Sequence, residues 1–290
     1  KTAYEIPKRD WSSDVCSSDL GMEMTRLRRP LAALAATPGQ GLVVVLAGAC
    51  FAAVVYAQSP EERRAARDIV TRKSEAVVVV TATLKIRANV GGQEQVIDQQ
   101  AQGNGTVIDA SGLTVLSLST LQPDDLMTRQ LSARMRPDTR VDVRSEPSGI
   151  VMHLAGGREV PAKLVLRDQD LDLAFIKPSE PPSPAITFVD AAPAKVSLLD
   201  LVFVIQRTSE TSGWATAATF GTVQLVIDKP RLYYQIAMPG SGGSALGSPV
   251  FEAGGRFVGV IVTRSTGSRG PSLTGVLPAD EILDVAKQAK

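Results

Sequence analysis

The sequence predicts an all-β protein built as two small β-barrels, with a short helix before the first and another after the second. Three observations predict it. Short runs rich in Val, Ile, Leu and Phe recur along the chain, and glycine or proline separates most of them. A proline-rich stretch, Ser179–Pro184 (SEPPSP), divides the series in two, and its prolines can neither donate to a strand ladder nor continue a helix.

The chain begins with residues of a different kind. Reverse translation of Asp10–Leu20 (DWSSDVCSSDL) resembles a common short-read sequencing adapter, and Lys1–Ile6 resembles its outer half, so residues 1–20 read as translated adapter and are set aside. Residues 21–57 then start at Met22 or Met24, pass Arg26, Arg28 and Arg29, and enter an apolar run, Gly41–Ala57, ending Val55-Tyr56-Ala57. A basic start, an apolar middle and small residues before the cut read as a secretory signal cleaved after Ala57, which predicts a secreted or periplasmic product. Uncleaved, residues 41–57 would reach the lower end of the about 17 to 25 residues that a membrane span needs and would serve as an anchor.

Removing residues 1–57 takes six of the 31 basic and five of the 30 acidic residues, leaving 25 of each. A neutral chain argues against an electrostatic partner, whether nucleic acid or anionic membrane; membrane contact is expected only if residues 41–57 stay uncleaved. Both cysteines, Cys16 and Cys50, fall in the removed part, so no disulfide, thiolate or cysteine metal site is expected beyond it, and no cofactor or metal-ligand cluster is called for.

Residues 58–75 read as a charged helix, EERRAARDIVTRKSE covering 61–75. The first barrel is expected over 76–178. Its strands are Val77–Val80, Thr81–Ile86, Gly105–Asp109, Leu113–Leu118, Ile150–Leu154, Glu159–Leu166 and Leu173–Lys177, with turns at Asn89–Gly92, Ala110–Gly112 and Ala155–Gly157. Residues 121–148, rich in Arg, Asp and Met, read as an insertion, either a solvated and partly disordered loop or a specialised surface. After the linker at 179–184, the second barrel is expected over 185–278, with strands Leu201–Gln206, Gly221–Ile227, Leu232–Ala237, Pro249–Phe251 and Phe257–Thr263. Residues 279–290 close the chain as a helix, ADEILDVAKQA having helical apolar spacing.

Four segments, in the right order, resemble trypsin-like serine proteases of the HtrA/Do type. GNGTVIDASGL (103–113) resembles the strand and turn before the family's catalytic histidine, and GGREVPAKLVLRDQDLDLAFIKP (156–178) the segment that carries its aspartate. GSPVFEAGGRFVGVIV (247–262) resembles the segment after the nucleophile, and TGVLPADEILDVAKQ (274–288) the closing strand and helix. The resemblance spans residues 65–290. It implies the chymotrypsin-like pair of six-stranded antiparallel barrels, as a protease domain with no PDZ-like segment.

Acyl transfer on that fold uses a serine nucleophile, a histidine base and an orienting aspartate. The resemblance puts Asp172 at the aspartate. Counting ungapped from Gly112-Leu113, it puts Ser119 at the histidine, and a serine cannot act as the general base at neutral pH. The one histidine of the chain is His153, read as a strand-end side chain facing solvent, or else as a rebuilt base. Aligning Pro249–Val260 without gaps puts Leu246 at the nucleophile and assigns the oxyanion-hole amides to Ser244 and Leu246; leucine has no acyl-accepting atom. A second register, needing one deletion and about five inserted residues, makes Ser241-Gly242-Gly243 the remnant of the Gly-x-Ser-Gly-Gly motif, with Ser241 as nucleophile.

Both registers lack the histidine, so the resemblance implies a non-catalytic member that binds a peptide or protein in the cleft between the barrels. Two other readings stand beside it. One is a serine endopeptidase with an unorthodox site at Ser241. The other is a structural domain of a cell-envelope assembly, with Trp214, Tyr233 and Tyr234 as its contacts.

Overall fold

The structure, a computed structural model, describes residues 59–136, 138–190, 192–238, 245–265 and 272–289. Residues 1–20, expected as adapter, residues 21–57, expected as a leader, both cysteines, Cys16 and Cys50, and two site candidates, Ser241 and Ser244, lie outside the described residues.

Two closed six-stranded antiparallel barrels make up the described chain. The first contains β1 (Val77–Val90), β2 (Gln93–Val107), β3 (Thr114–Ser117), β4 (Val141–His153), β5 (Glu159–Asp168) and β6 (Leu173–Pro178), in the order β1-β2-β3-β6-β5-β4. The second contains β7 (Leu201–Arg207), β8 (Thr216–Ile227), β9 (Tyr233–Ala237), β10 (Pro249–Glu252), β11 (Phe257–Ser265) and β12 (Ser272–Pro278), in the order β10-β11-β12-β9-β8-β7. Helix α1 (Pro60–Lys73) precedes them, α2 (Leu118–Leu121) and α3 (Asp124–Arg134) interrupt the first barrel, and α4 (Ala279–Ala286) closes the chain.

The continuous apolar runs follow from burial on both faces. In β6, Leu173 and Phe175 face a core shared by both barrels and the terminal helices, while Ala174 and Ile176 face the interior of the first barrel. In β7, Phe203 and Ile205 join the shared core, while Val202 and Val204 fill the second barrel. A strand with two buried faces has no polar alternation, and each fully buried Phe or Leu contributes about 1.5–3 kcal/mol relative to exposure. Helix α1 is set by a reciprocal cap at its start: the Glu62 amide donates to Ser59 Oγ at 3.1 Å, and the Ser59 amide donates to Glu62 Oε2 at 2.7 Å. The helix then docks through Ile69, buried in the shared core.

A buried seam joins the barrels on the side of β2 and β7. The Arg207 amide donates to Asn104 Oδ1 at 2.7 Å. Its guanidinium caps three carbonyls, bonding Val77 O through Nε, Trp214 O at 3.0 Å through Nη1 and Ser74 O at 2.8 Å through Nη2. Gly247 presses against the same asparagine at φ +81°, and a Cβ there would stand 1.9 Å from the Asn104 carbonyl oxygen.

The first barrel extends further than the sequence predicts. β1 runs unbroken to Val90, paired along its length with β2 and, across one bulge, with β4. The outer half of β2, QEQVIDQQ (93–100), is exposed throughout, so it lacks the half-buried alternation by which a strand is read. The insertion at 121–148 is not a disordered loop. It holds α3, whose Met127 and Leu131 pack on the core containing Leu84, Ile86 and Val143, and then the outer half of β4. Ser145 of β4 fixes the start of that helix. Its Oγ bonds Asp124, and its carbonyl accepts from Gln122 Nε2 at 3.1 Å.

Candidate active site

Three segments bring the site together. β3 ends at Ser117, and the single turn of α2 that follows carries Ser119. The β5–β6 turn carries Asp172 in the left-handed region at φ 56°, where Asp is among the non-glycine residues that tolerate it. The Asp168 carboxylate accepts from the Leu171 amide at 3.0 Å, and the Asp172 carbonyl accepts from the Leu118 amide at 2.8 Å. The turn is therefore tied to α2 by its backbone before any side chain is considered. β11 supplies the third segment, at Thr263.

The Asp172 carboxylate is 8% exposed and accepts four hydrogen bonds. One oxygen takes both the amide and the hydroxyl of Ser119, each at 2.7 Å. The other takes Ser117 Oγ at 2.5 Å and the Thr263 amide at 2.7 Å. Burial raises its pKa above the ordinary aspartate value, outweighing the opposite pull of the Ser117 and Ser119 hydroxyls and the Thr263 and Ser119 amides. The structure thus joins Ser119 directly to Asp172. No sequence signal pointed to Ser117 or Thr263 as further partners; the two-residue spacing of Ser117 and Ser119 was the only trace.

His153 does not face solvent as expected. It is 7% exposed, its ring stacks on Trp214 with centroids 4.3 Å apart and planes 15° apart, and its Nε2 bonds Thr81 Oγ1 at 2.8 Å. Its Nδ1 lies 3.6 Å from Glu159. The strand pairing of β4 with β1 turns this ring into the barrel contact, and it is not among the donors to Asp172. Tyr233 and Tyr234 are buried side chains of the second barrel, not surface contacts.

The turn at 245–248 holds Leu246. Here the Gly247 amide donates to Ile261 O at 2.8 Å, the Ile261 amide donates to Ser248 O at 3.0 Å, and Thr106 Oγ1 donates to Gly247 O at 3.0 Å. Leu246 itself packs against the core of the second barrel. Gly247 also lies beside β3, with Leu116 Cα 3.4 Å from where its Cβ would be. The turn is held by these bonds, and the side chain it carries at position 246 is a hydrocarbon. Of the oxyanion-hole residues assigned from sequence, Leu246 is here and Ser244 is outside the described residues.

Between the barrels lies a cavity of about 590 Å³, to which Ser119 and Asp172 contribute on one side and Tyr233, Thr263 and Arg264 on the other. Among the described residues no cluster of His, Cys, Asp and Glu could hold a metal ion.

Two six-stranded barrels with a buried aspartate at their junction define the architecture of chymotrypsin-like proteases. The trypsin-like peptidase domain profile matches residues 103–260, and the chain belongs to that family. Among solved structures, Deg5 is similar with a TM-score of 0.52 and 20% identity, over 78% of this chain and 94% of that one. An HtrA-type protease, AlgW, solved with a tripeptide, is similar with a TM-score of 0.50 and 18% identity, over 76% of this chain and 62% of that one. At these identities the likeness is one of fold. No curated protein matches the sequence.

Proposed function

We propose that this trypsin-like domain binds an extended peptide in the cleft between its barrels and does not cleave it. The observation that carries the reading is the Asp172 carboxylate, whose Oδ1 is occupied by the amide and hydroxyl of Ser119. In a working triad an imidazole would bond there, take the proton of the nucleophile and return it to the leaving group. A serine hydroxyl does neither at neutral pH, and Leu246 supplies no nucleophile in the ungapped register. Loss of triad members leaves only about 10³–10⁴-fold catalysis over water, from binding and oxyanion contacts.

The binding half of the reading rests on the edge of β11. The amides of Ile261 and Thr263 point away from β12, toward Ser248 and Asp172, so by the period of two Ser265 is the next residue along that edge. An extended chain lying there would add a strand, the mode called β-augmentation. The tripeptide bound to AlgW, a protein of the same fold, supports a peptide as the ligand class. The leader at 21–57 supports export to a secreted or periplasmic location, and among the described residues no helix is long and apolar enough to cross a membrane.

The test is intact-mass measurement of the folded protein after treatment with a fluorophosphonate, followed by peptide mapping. The expected result is an unmodified mass. A stoichiometric adduct on Ser241, or on any other serine, would show a working nucleophile and sink the non-catalytic reading.

A further inference from the structure

The charges of the cleft are sorted by wall. Asp125, Asp170 and Asp172 belong to the first barrel, with Arg129 of α3 among them, whereas among the described residues the charged side chains from the second barrel are Arg231 and Arg264. The two arginines differ in what they already hold. Arg231 Nη1 lies 3.4 Å from Glu281, an ion pair at the surface. Arg264 has no ion pair among the described residues. Its guanidinium carbon sits 4.7 Å from the centroid of the Tyr233 ring, and its Nη1 is buried with no hydrogen-bond partner among the described residues. Asp172 does not answer it, because both carboxylate oxygens are taken up by Ser117, Ser119 and Thr263.

A guanidinium placed over an aromatic ring is partly pre-organised: the ring restrains its position, and its planar fork of N–H donors matches a carboxylate. Arg264 as a whole is only half-buried, and a carboxylate meeting its guanidinium would form charge-assisted, two-point bonds. Arg264 also directly follows Thr263, whose amide marks the edge on which an extended chain would lie. A side chain of such a chain can therefore reach the arginine while its backbone pairs with β11.

We infer that the cleft selects acidic peptides, an Asp or Glu side chain of the bound segment pairing with Arg264 against the wall of the second barrel. This rests on the peptide-binding reading and adds the ligand's charge and the residue that reads it. The carboxylates of the opposite wall sharpen the choice, since they repel an acidic group placed there and leave one orientation for the ligand.

The probe is a positional library of N-acetylated, C-terminally amidated hexapeptides, read on the whole protein and on its Arg264→Gln and Arg264→Lys variants. At one library position Asp and Glu should be enriched about tenfold over Asn and Gln, the scale of a hydrogen bond to a charged group. The preference should vanish in Arg264→Gln, and Arg264→Lys should keep only part of it because a point charge cannot reproduce the fork. Because the acid-against-amide comparison is made first on the unaltered protein, it stands even if a variant folds poorly. Binding with no acidic preference, or a preference that survives in folded Arg264→Gln, overturns the inference and leaves the peptide-binding reading intact. No binding by any library member overturns both.

Discussion

The junction of the two barrels holds two groups of residues under different constraints. In one, Asn104, Arg207 and Gly247 interlock. In the other, Asp172 sits among Ser117, Ser119 and Thr263. The first includes a backbone contact with no room to spare: a single added carbon at Gly247 would meet a carbonyl oxygen at 1.9 Å. The second is a carboxylate whose needs any set of donors can meet, and hydroxyls meet them at 2.5–2.7 Å. The fold therefore fixes the residues of the seam and leaves the chemistry of the cleft free to change. A family architecture does not by itself settle the chemistry of its site.

Four substitutions would break or sharpen that contrast. Gly247→Ala should have the largest effect, at least about 3 kcal/mol of lost stability or failure to fold, because it combines a left-handed backbone with a clash that neither barrel can relieve. Denaturant unfolding checks it, and a near-neutral result would mean the seam is looser than its geometry. Arg207→Met comes next, at about 2–4 kcal/mol, since the carbonyls of Ser74, Val77 and Trp214 lose their shared donor.

Asp172→Asn should cost about 1–3 kcal/mol at neutral pH, and its dependence on pH has a definite sign. The folded pKa is raised above the ordinary value of 3.8. The folded protein therefore binds the proton more tightly than the unfolded chain, and ionisation of this group lowers stability as pH climbs above 3.8. The wild type should accordingly lose part of its advantage over Asp172→Asn between acid and neutral pH. Parallel urea titrations across that range would detect it, and an advantage that grows with pH would refute the burial argument. Ser119→Ala should be mildest, at about 1 kcal/mol or less, because the amide of residue 119 still reaches the carboxylate. A loss as large as that of Arg207→Met would show that the hydroxyl is as constrained as the seam.

How far the sequence could be read depended on where each residue's environment lay. Leu173–Lys177 and Leu201–Gln206 were legible as strands because apolar β-branched and aromatic runs have few other uses, and the structure places them there as β6 and β7. Gln93–Gln100 was not, since an exposed strand in a two-sided polar arm has no apolar period. Helix α3 was missed for a related reason: its buried contacts are few, Met127 and Leu131, on an otherwise polar surface. At the site, Asp172 and Ser119 could be singled out by counting along the chain, and the structure brings the two together. The burial of His153 could not be foreseen, because the Trp214 ring that covers it comes from the other barrel, 61 residues further on.

By itself the sequence determined the two-barrel architecture and the presence of one histidine, His153, because these depend on residue type and local pattern. Only the tertiary structure decided that Ser117, Ser119 and Thr263 share the Asp172 carboxylate, that His153 is enclosed and that Arg264 lies over the Tyr233 ring. Each of those facts joins residues far apart in the chain. Which donor meets which acceptor is settled by the packing of one barrel on the other, and no local pattern encodes that.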